Sequence, residues 1–237
     1  MDVKETELLR GKIAHHWYYR SKARAVERLL SGLRARVVLD VGAGSGFFSR
    51  YLISRSLADE AWCVDINYPQ ESDIVENGRN IHFRRSVSNL SPDVVLLMDV
   101  LEHVDDDVGL LRETISNASS DATFLVSVPA FQFMWSGHDV FLEHKRRYTL
   151  RGIERVVESA GLRVQRGCYF YASIFPAAMA VRLPRNLFGG AHRPNSDLRS
   201  YPSFVNTMLN AILRAELPFF RFNRLFGLTA FCVAKRA

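Results

Sequence analysis

A glycine-rich loop directly after an apolar strand is the feature that most constrains how this chain folds. Residues 36–41 (RVVLDV) form a β-branched run, and GAGSG follows, leading into a helical pattern at residues 46–57. Glycines at this place let the backbone turn tightly and approach a ligand closely. The helix that follows points its amide dipoles at that ligand. The motif therefore predicts a ligand site on a strand–loop–helix unit.

The remainder of the chain continues this alternation of apolar strands and helices. Near-continuous apolar strands separated by helices indicate a parallel sheet that is covered on both faces, with its ligands at the carboxyl ends of the strands. We therefore predict an α/β, Rossmann-like fold with a seven-stranded, mostly parallel sheet and helices on both faces. The predicted strands are residues 36–41, 61–66, 81–85, 93–99, 122–128, 162–171 and 228–235.

Two further segments complete the predicted layout of one domain over residues 1–237. Residues 1–32 form an N-terminal helical segment, which Gly32 ends. Residues 172–227 separate the last two strands and are too long for a plain loop in a compact domain. We predict that they form a helical cap, inserted before the last strand, over the active site.

The charge and the cysteine content indicate more about the cellular location of the protein than about its activity. The formal net charge of +6 suits an anionic substrate, an anionic membrane surface or nucleic acid, and selects none of them. The three cysteines are far apart in apolar runs, which is typical of reduced core residues. The polar, acidic start of the sequence is not typical of a signal peptide. We expect a cytoplasmic protein, with peripheral contact to the inner face of the membrane as an alternative.

The glycine loop also carries a family resemblance. Residues 39–46, LDVGAGSG, resemble the first motif of class I S-adenosylmethionine (SAM)-dependent methyltransferases, which carry an acidic residue at the position of Asp40. A glycine pattern alone also fits a dinucleotide site, but the sequence offers no second signal for nicotinamide. The resemblance implies SAM as cofactor. It assigns Asp40, Gly42, Ala43, Gly44 and Gly46 to the cofactor site.

Other cofactor contacts are expected at the neighbouring strand ends. Asp65 ends the second strand, where a carboxylate can accept hydrogen bonds from both ribose hydroxyls, with Ile66 beside the adenine. The resemblance implies adenine contacts after the third strand, and a cation for the methionyl carboxylate in the N-terminal helix. The residues assigned here are Arg20, Asp65, Ile66, Ser86, Val87 and Asp99.

A D-x-x-E-H run at the end of the fourth strand supplies the candidate catalytic residues. Asp99, Glu102 and His103 form this run, and His138 and His144 follow in the segment after the fifth strand. The run resembles the E-x-x-E-H motif of small-RNA 2′-O-methyltransferases and of the O-methyltransferases of ubiquinone synthesis. That resemblance implies that Glu102, His103 and His144 bind a divalent metal such as Mg²⁺, although Asp99 replaces a glutamate.

Three interpretations of this run stay open. A histidine can act as a metal-free general base on an oxygen acceptor. A metal can instead lower the pKa of the acceptor. In the third interpretation, the E-H pair starts a helix and the later histidines only structure a loop.

The acceptor is less constrained than the cofactor. Residues 129–149, from PAFQFMW to HKRRYT, resemble a bacterial subgroup of class I methyltransferases found with enzymes of cell-surface glycans and lipid-linked sugars. The basic, apolar segments within residues 172–227 fit either a membrane interface or a cap packed on the sheet. We expect methyl transfer to an oxygen of a small or lipid-linked acceptor. An RNA 2′-O-methyltransferase and a SAM-binding protein without catalysis are the alternatives, but the mild charge and the lack of an RNA-binding module argue against nucleic acid.

Overall fold

One mixed sheet organises the part of the chain that the computed structural model describes, which comprises residues 13–187, 193–197 and 201–236. Within these residues the sheet has eight strands in the order β3-β4-β2-β1-β5-β6-β8-β7. Strands β4, β2, β1, β5 and β6 are parallel, whereas β3 and β8 run antiparallel to their neighbours. The strands are β1 Ala35–Val41, β2 Ala58–Val64, β3 Ser72–Glu76, β4 Arg79–Arg84, β5 Val94–Met98, β6 Thr123–Pro129, β7 Leu162–Phe170 and β8 Thr229–Arg236.

Helices cover both faces of the sheet, as the alternation of strands and helices predicted. Val38 and Leu96 belong to one apolar cluster with residues of α1 and α2, while Leu39 and Leu97 belong to a second cluster with residues of α3 and α5. Since neighbouring residues of a strand point to opposite faces, each central strand contributes to both cores. The helices are α1 Trp17–Leu29, α2 Phe47–Ser54, α3 Asp107–Ser116, α4 Gly137–Phe141, α5 Leu150–Ser159, α6 Phe175–Leu187 and α7 Ser203–Glu216.

The predicted α/β fold is confirmed, but the strand count differs by one. The additional strand, β3, forms an antiparallel hairpin with β4 at the edge of the sheet. Asn77 and Gly78 connect the two strands with φ angles of 51° and 71°, as the tightest hairpin turns require. The sequence of β3 is polar and largely exposed, so it lacks the apolar run by which the other strands were predicted.

The predicted helical segments at residues 1–32 and 172–227 are represented by α1, α6 and α7. Residues 1–12 of the N-terminal segment, and residues 188–192 and 198–200 of the predicted cap, lie outside the described residues. Helix α7 packs on α1, where Asn206 Oδ1 accepts the backbone N–H of Trp17 at 2.7 Å. Helix α6 is tied to the segment after β6, because Asn186 donates to the carbonyl oxygens of Phe133 and Trp135. Within the described residues, no helix combines the length and apolarity needed to cross a bilayer.

The segment between β6 and α5, residues 130–148, is largely irregular, and buried polar contacts stabilise it. Its centre is Asp139 in α4, which has no solvent exposure. The Arg147 guanidinium donates to both carboxylate oxygens of Asp139, at 2.7 and 2.9 Å. The backbone N–H of Ser136 also donates to Asp139, and His144 Nδ1 lies 2.9 Å from Oδ1. Although burial opposes ionisation, the hydrogen bond with His144 and the Arg147 charge lower the pKa of Asp139.

Removal of the Asp139 charge is expected to destabilise the protein strongly. In Asp139→Asn, the buried Arg147 loses its counter-charge, and such a loss costs about 3–5 kcal/mol. Urea unfolding followed by circular dichroism measures this free energy. The matched control is Asp105→Asn, which removes an exposed carboxylate paired with Lys145 and should leave the urea midpoint almost unchanged. Equal midpoints for the two variants would contradict this assignment.

Candidate functional site

A cavity of about 1020 Å³ lies at the carboxyl edge of the sheet. Its lining includes Asp40 at the end of β1, Asp99 after β5 and Pro129 at the end of β6. Beyond β1 the chain adds β2 and β4 on one side and β5 and β6 on the other, so the direction of winding reverses between β1 and β5. This switch point is where open α/β sheets bind their ligands.

The glycine loop forms one wall of this cavity, and two of its glycines are required by the packing. Gly42 and Gly46 have φ angles of 65° and 70°. A Cβ atom on Gly42 would lie 2.8 Å from Val100 Cγ2, and one on Gly46 would lie 2.9 Å from Phe83 Cε1. Helix α2 begins directly after Gly46. The loop therefore brings bare backbone to the cavity and leads directly into a helix N-terminus, a combination that suits an anionic ligand.

Two buried carboxylates lie next to the glycine loop, and one of them, Asp65, accepts a hydrogen bond from it. Asp65 is 5% exposed, and its two oxygens accept the backbone N–H groups of Gly44 at 3.1 Å and Asn67 at 3.0 Å. Asp40 is buried, borders the cavity and accepts a hydrogen bond from Ser49 Oγ at 2.8 Å. Ala43 also borders the cavity.

Seven of the predicted cofactor residues are not among the described residues that line this cavity. Three of them, Gly44, Gly46 and Asp65, belong to the glycine loop or contact it directly, whereas the other four lie elsewhere. Ile66 is 83% exposed, and Arg20 and Ser86 are exposed as well. Val87 packs against the apolar cluster on the α3 side of the sheet. None of the four belongs to the cavity lining that the described residues form. From the N-terminal helix it is the aromatic residues Trp17, Tyr18 and Tyr19 that border the cavity.

Asp99 pairs with a lysine that sequence reasoning missed. The ammonium group of Lys22, whose side chain is fully buried in α1, contacts Asp99 Oδ2, and Ser127 Oγ donates to Oδ1 at 2.9 Å. Lys22 also donates to the Tyr18 hydroxyl at 3.2 Å. Asp99 has a φ angle of 57°, a strained conformation that persists only where the surroundings enforce it. The available signal was the i, i+4 spacing of Tyr18 and Lys22, which puts both on one helix face.

Glu102, His103 and His144 converge, and Glu102 and His144 border the cavity. One ligand atom from each lies within 4.8 Å of the others, and Glu102 has no solvent exposure. His144 Nδ1 is held by Asp139, so its Nε2 faces Glu102 Oε1 at 4.0 Å. Both Glu102 oxygens, His103 Nε2 and His144 Nε2 are buried without a hydrogen-bond partner among the described residues. The structure therefore brings together the three residues that the resemblance marked as metal ligands.

Burial disfavours charge within this three-residue cluster. Burial and the nearby Asp99 charge raise the pKa of Glu102 well above its usual range. Burial and the neighbouring His144 lower the pKa of His103 to about 4. A cation among these side chains would stabilise the ionised Glu102 carboxylate. It would also bind the neutral imidazole of His103, which the lowered pKa favours.

His138 lies beside this cluster rather than within it. Its ring centroid is 6.4 Å from that of His144, and its Nδ1 accepts the backbone N–H of Asp197 at 3.3 Å. Burial lowers the pKa of His138 to about 4. It borders the cavity but does not belong to the three-residue group of candidate metal ligands found among the described residues.

Comparisons with known proteins identify the domain family. A profile described as "Methyltransferase domain" matches residues 14–166. A ubiquinone biosynthesis O-methyltransferase of Nitrosomonas europaea is 25% identical over 128 residues, which cover 43% of this chain and 52% of the relative. The chain thus spans about half the length of the curated relative it matches.

Solved structures share the fold. A SAM-dependent methyltransferase of Archaeoglobus fulgidus superimposes with a TM-score of 0.53 at 18% identity, covering 98% of this chain and 97% of that one. The YcgJ protein of Bacillus subtilis also gives a TM-score of 0.53 at 18% identity, covering 91% of this chain and 99% of that one. Since the domain match spans more than half of the residues, the chain belongs to the class I SAM-dependent methyltransferase family.

Proposed function

We propose that the chain moves a methyl group from SAM to a hydroxyl oxygen of a small or lipid-linked acceptor, assisted by a divalent cation that Glu102, His103 and His144 hold. The observation that carries this proposal is the set of four buried, unpartnered polar atoms in that cluster. The similarity to a ubiquinone biosynthesis O-methyltransferase supports an oxygen acceptor.

The residues of the cluster fit a bound cation. Buried polar atoms are paired in almost all native proteins, so four orphans within one cluster indicate a missing partner. Two imidazoles and one carboxylate are a common ligand set for transition metals. His144 has the carboxylate behind its ring, Asp139, that commonly orients a metal-binding histidine. This donor set favours Zn²⁺, Fe²⁺ or Mn²⁺ over the initially expected Mg²⁺, which prefers oxygen ligands.

The roles of the chain's own groups follow from this arrangement. Bound SAM supplies the electrophilic methyl group, and a bound cation lowers the pKa of a nearby hydroxyl. The backbone of residues 42–46 and the Asp65 carboxylate hold the cofactor. Glu102, His103 and His144 would hold the cation, and since Glu102 and His144 border the cavity, an acceptor hydroxyl there would lie beside it. Such positioning accounts for a large part of the rate in transfer reactions.

A metal-free histidine base is the competing mechanism. His144 is the best-placed base, because Asp139 holds its Nδ1 and leaves Nε2 facing the cluster. However, this mechanism leaves the two Glu102 oxygens without a partner. The cation accounts for all four orphaned atoms, and we therefore prefer it.

An exposed apolar and basic segment after α7 supports a lipid-linked acceptor and peripheral contact with a membrane surface. Phe219, Phe222 and Leu225 are 72%, 67% and 79% exposed. The Arg221 guanidinium lies over the Phe222 ring, 5.1 Å from its centroid. Exposed aromatic residues beside arginines are typical of surfaces that insert shallowly into anionic bilayers.

Loss of Asp65 is expected to weaken cofactor binding. In Asp65→Ala the loop loses its acceptor behind Gly44, and the ribose loses its anchor, so the affinity for S-adenosylhomocysteine should fall by about tenfold to a hundredfold. Isothermal titration calorimetry measures the change. Asp59→Ala is the control, because Asp59 lies at the opposite end of β2 and should leave the affinity unaltered. Unchanged binding by Asp65→Ala would refute the ribose assignment.

Direct metal binding is expected to depend on Glu102. Wild-type protein should bind Co²⁺ with the visible absorption bands of a nitrogen- and oxygen-ligated site, and Glu102→Gln should weaken binding by at least about tenfold. The exposed Glu113→Gln on α3 serves as the control and should bind as wild type does. Wild-type protein that binds no Co²⁺, Mn²⁺ or Zn²⁺ would leave the histidine base as the mechanism.

Membrane contact predicts sedimentation with anionic vesicles. The Phe222→Ser/Leu225→Ser variant should sediment several-fold less with phosphatidylglycerol vesicles than wild type, because its apolar anchors are gone. Val75→Ser changes an equally exposed side chain on the edge strand β3 and should have no effect. A wild-type protein that stays in the supernatant would exclude this contact.

A further inference from the structure

We propose that the acceptor carries a phosphate group, which Arg185 and Arg193 bind within the cavity. This inference rests on the proposed function, because it describes the second substrate of the same site. It adds the chemical class of that substrate, which neither the fold nor the family determines.

Helix α6 presents one continuous stripe to the cavity. The lining residues recur at helical spacing, so they share one face of the helix. The first part of this stripe is apolar, whereas the last part carries two guanidinium groups and an amide. In chain order the lining residues are Ile174, Ala177, Ala178, Val181, Arg182, Arg185 and Asn186.

At the basic end of this stripe, the arginines outnumber the acidic side chains that pair with them. Arg147 is paired with Asp139, and Arg182 is paired with Asp197. Arg185 and Arg193 also border the cavity, but neither guanidinium makes an ion pair or hydrogen bond with any residue that the structure describes. Two exposed arginines without an ion-pair partner among the described residues therefore border the same cavity.

These charges lie on the catalytic side of the cavity. Arg182 donates to the carbonyl oxygen of Met134 at 3.2 Å, and its partner Asp197 donates a backbone N–H to His138. The His138 ring is in turn 6.4 Å from the His144 ring. The basic end of α6 is thus joined by direct contacts to the segment that carries His144, so an anion bound at this end would lie on the same side of the cavity as that histidine.

Phosphate is the anion that this arrangement fits. A phosphate monoester carries about −1.5 to −2 charges at neutral pH, which matches two unpaired arginines. The planar guanidinium group binds phosphate oxygens through paired hydrogen bonds. The apolar stripe beside it, Ala177, Ala178 and Val181, accommodates an apolar part of the same molecule. A soluble phosphomonoester and the phosphomonoester headgroup of phosphatidic acid share this chemistry.

Phenyl phosphate is a suitable probe, because it joins a phosphate to an apolar ring. Calorimetric titration into protein saturated with S-adenosylhomocysteine should show binding to wild type that is at least tenfold weaker for Arg185→Gln/Arg193→Gln. The control is Arg151→Gln/Arg155→Gln, which removes the same charge from the exposed face of α5 and should bind as wild type does. S-adenosylhomocysteine affinity should be equal in all three proteins.

A second experiment distinguishes a lipid acceptor from a soluble one. Vesicles that contain phosphatidic acid are compared with phosphatidylcholine vesicles in sedimentation. Retention that requires both phosphatidic acid and the two arginines supports a lipid acceptor. Phenyl phosphate binding that requires the arginines, without such retention, supports a soluble one.

Other results would overturn the inference. Wild type that binds S-adenosylhomocysteine but not phenyl phosphate has no phosphate site, and equal losses in both double variants would mean that only overall charge matters. Wild type that fails to bind S-adenosylhomocysteine would instead contradict the proposed function, and with it this inference.

Discussion

The buried carboxylate of Asp139 is the contact on which the acceptor side of the site depends. It receives both arms of the Arg147 guanidinium and the Nδ1 side of the His144 ring, so it fixes a segment that has little regular structure. Because Nδ1 is occupied, His144 can offer only Nε2, which faces Glu102. One ion pair thus supplies stability, ring orientation and the geometry of the three-residue cluster.

The end of β5 connects the acceptor side to the cofactor side. Asp99 leaves the strand in a left-handed conformation and contacts Lys22, which anchors the N-terminal helix beside the cavity. Three residues later, Glu102 and His103 enter the cluster. The glycine loop follows β1, which is paired in parallel with β5, so the loop and the end of β5 lie side by side. Under the proposed function, a cofactor on the loop and an acceptor at the cluster would therefore face each other across the switch point of the sheet.

The sequence predicted those parts that depend on local pattern. Apolar runs predicted seven of the eight strands, and the glycine motif located the loop, because both signals act over a few residues. The polar strand β3 was missed, since its apolar content is low and only Asn77-Gly78 marks it. The Lys22 contact and the path of residues 130–148 depend on partners far away in the chain. The same holds for Ile66 and Arg20, whose exposure follows from how their elements pack.

Crystallography with both ligands tests the central claim, that a cofactor on the glycine loop faces a cation at the histidine cluster. Crystals grown with S-adenosylhomocysteine and Mn²⁺, and measured at the manganese absorption edge, would locate both in one experiment. We predict S-adenosylhomocysteine against residues 42–46, and an anomalous peak among Glu102, His103 and His144. S-adenosylhomocysteine at the loop without an anomalous peak at that cluster, at saturating Mn²⁺, would contradict the proposed cation.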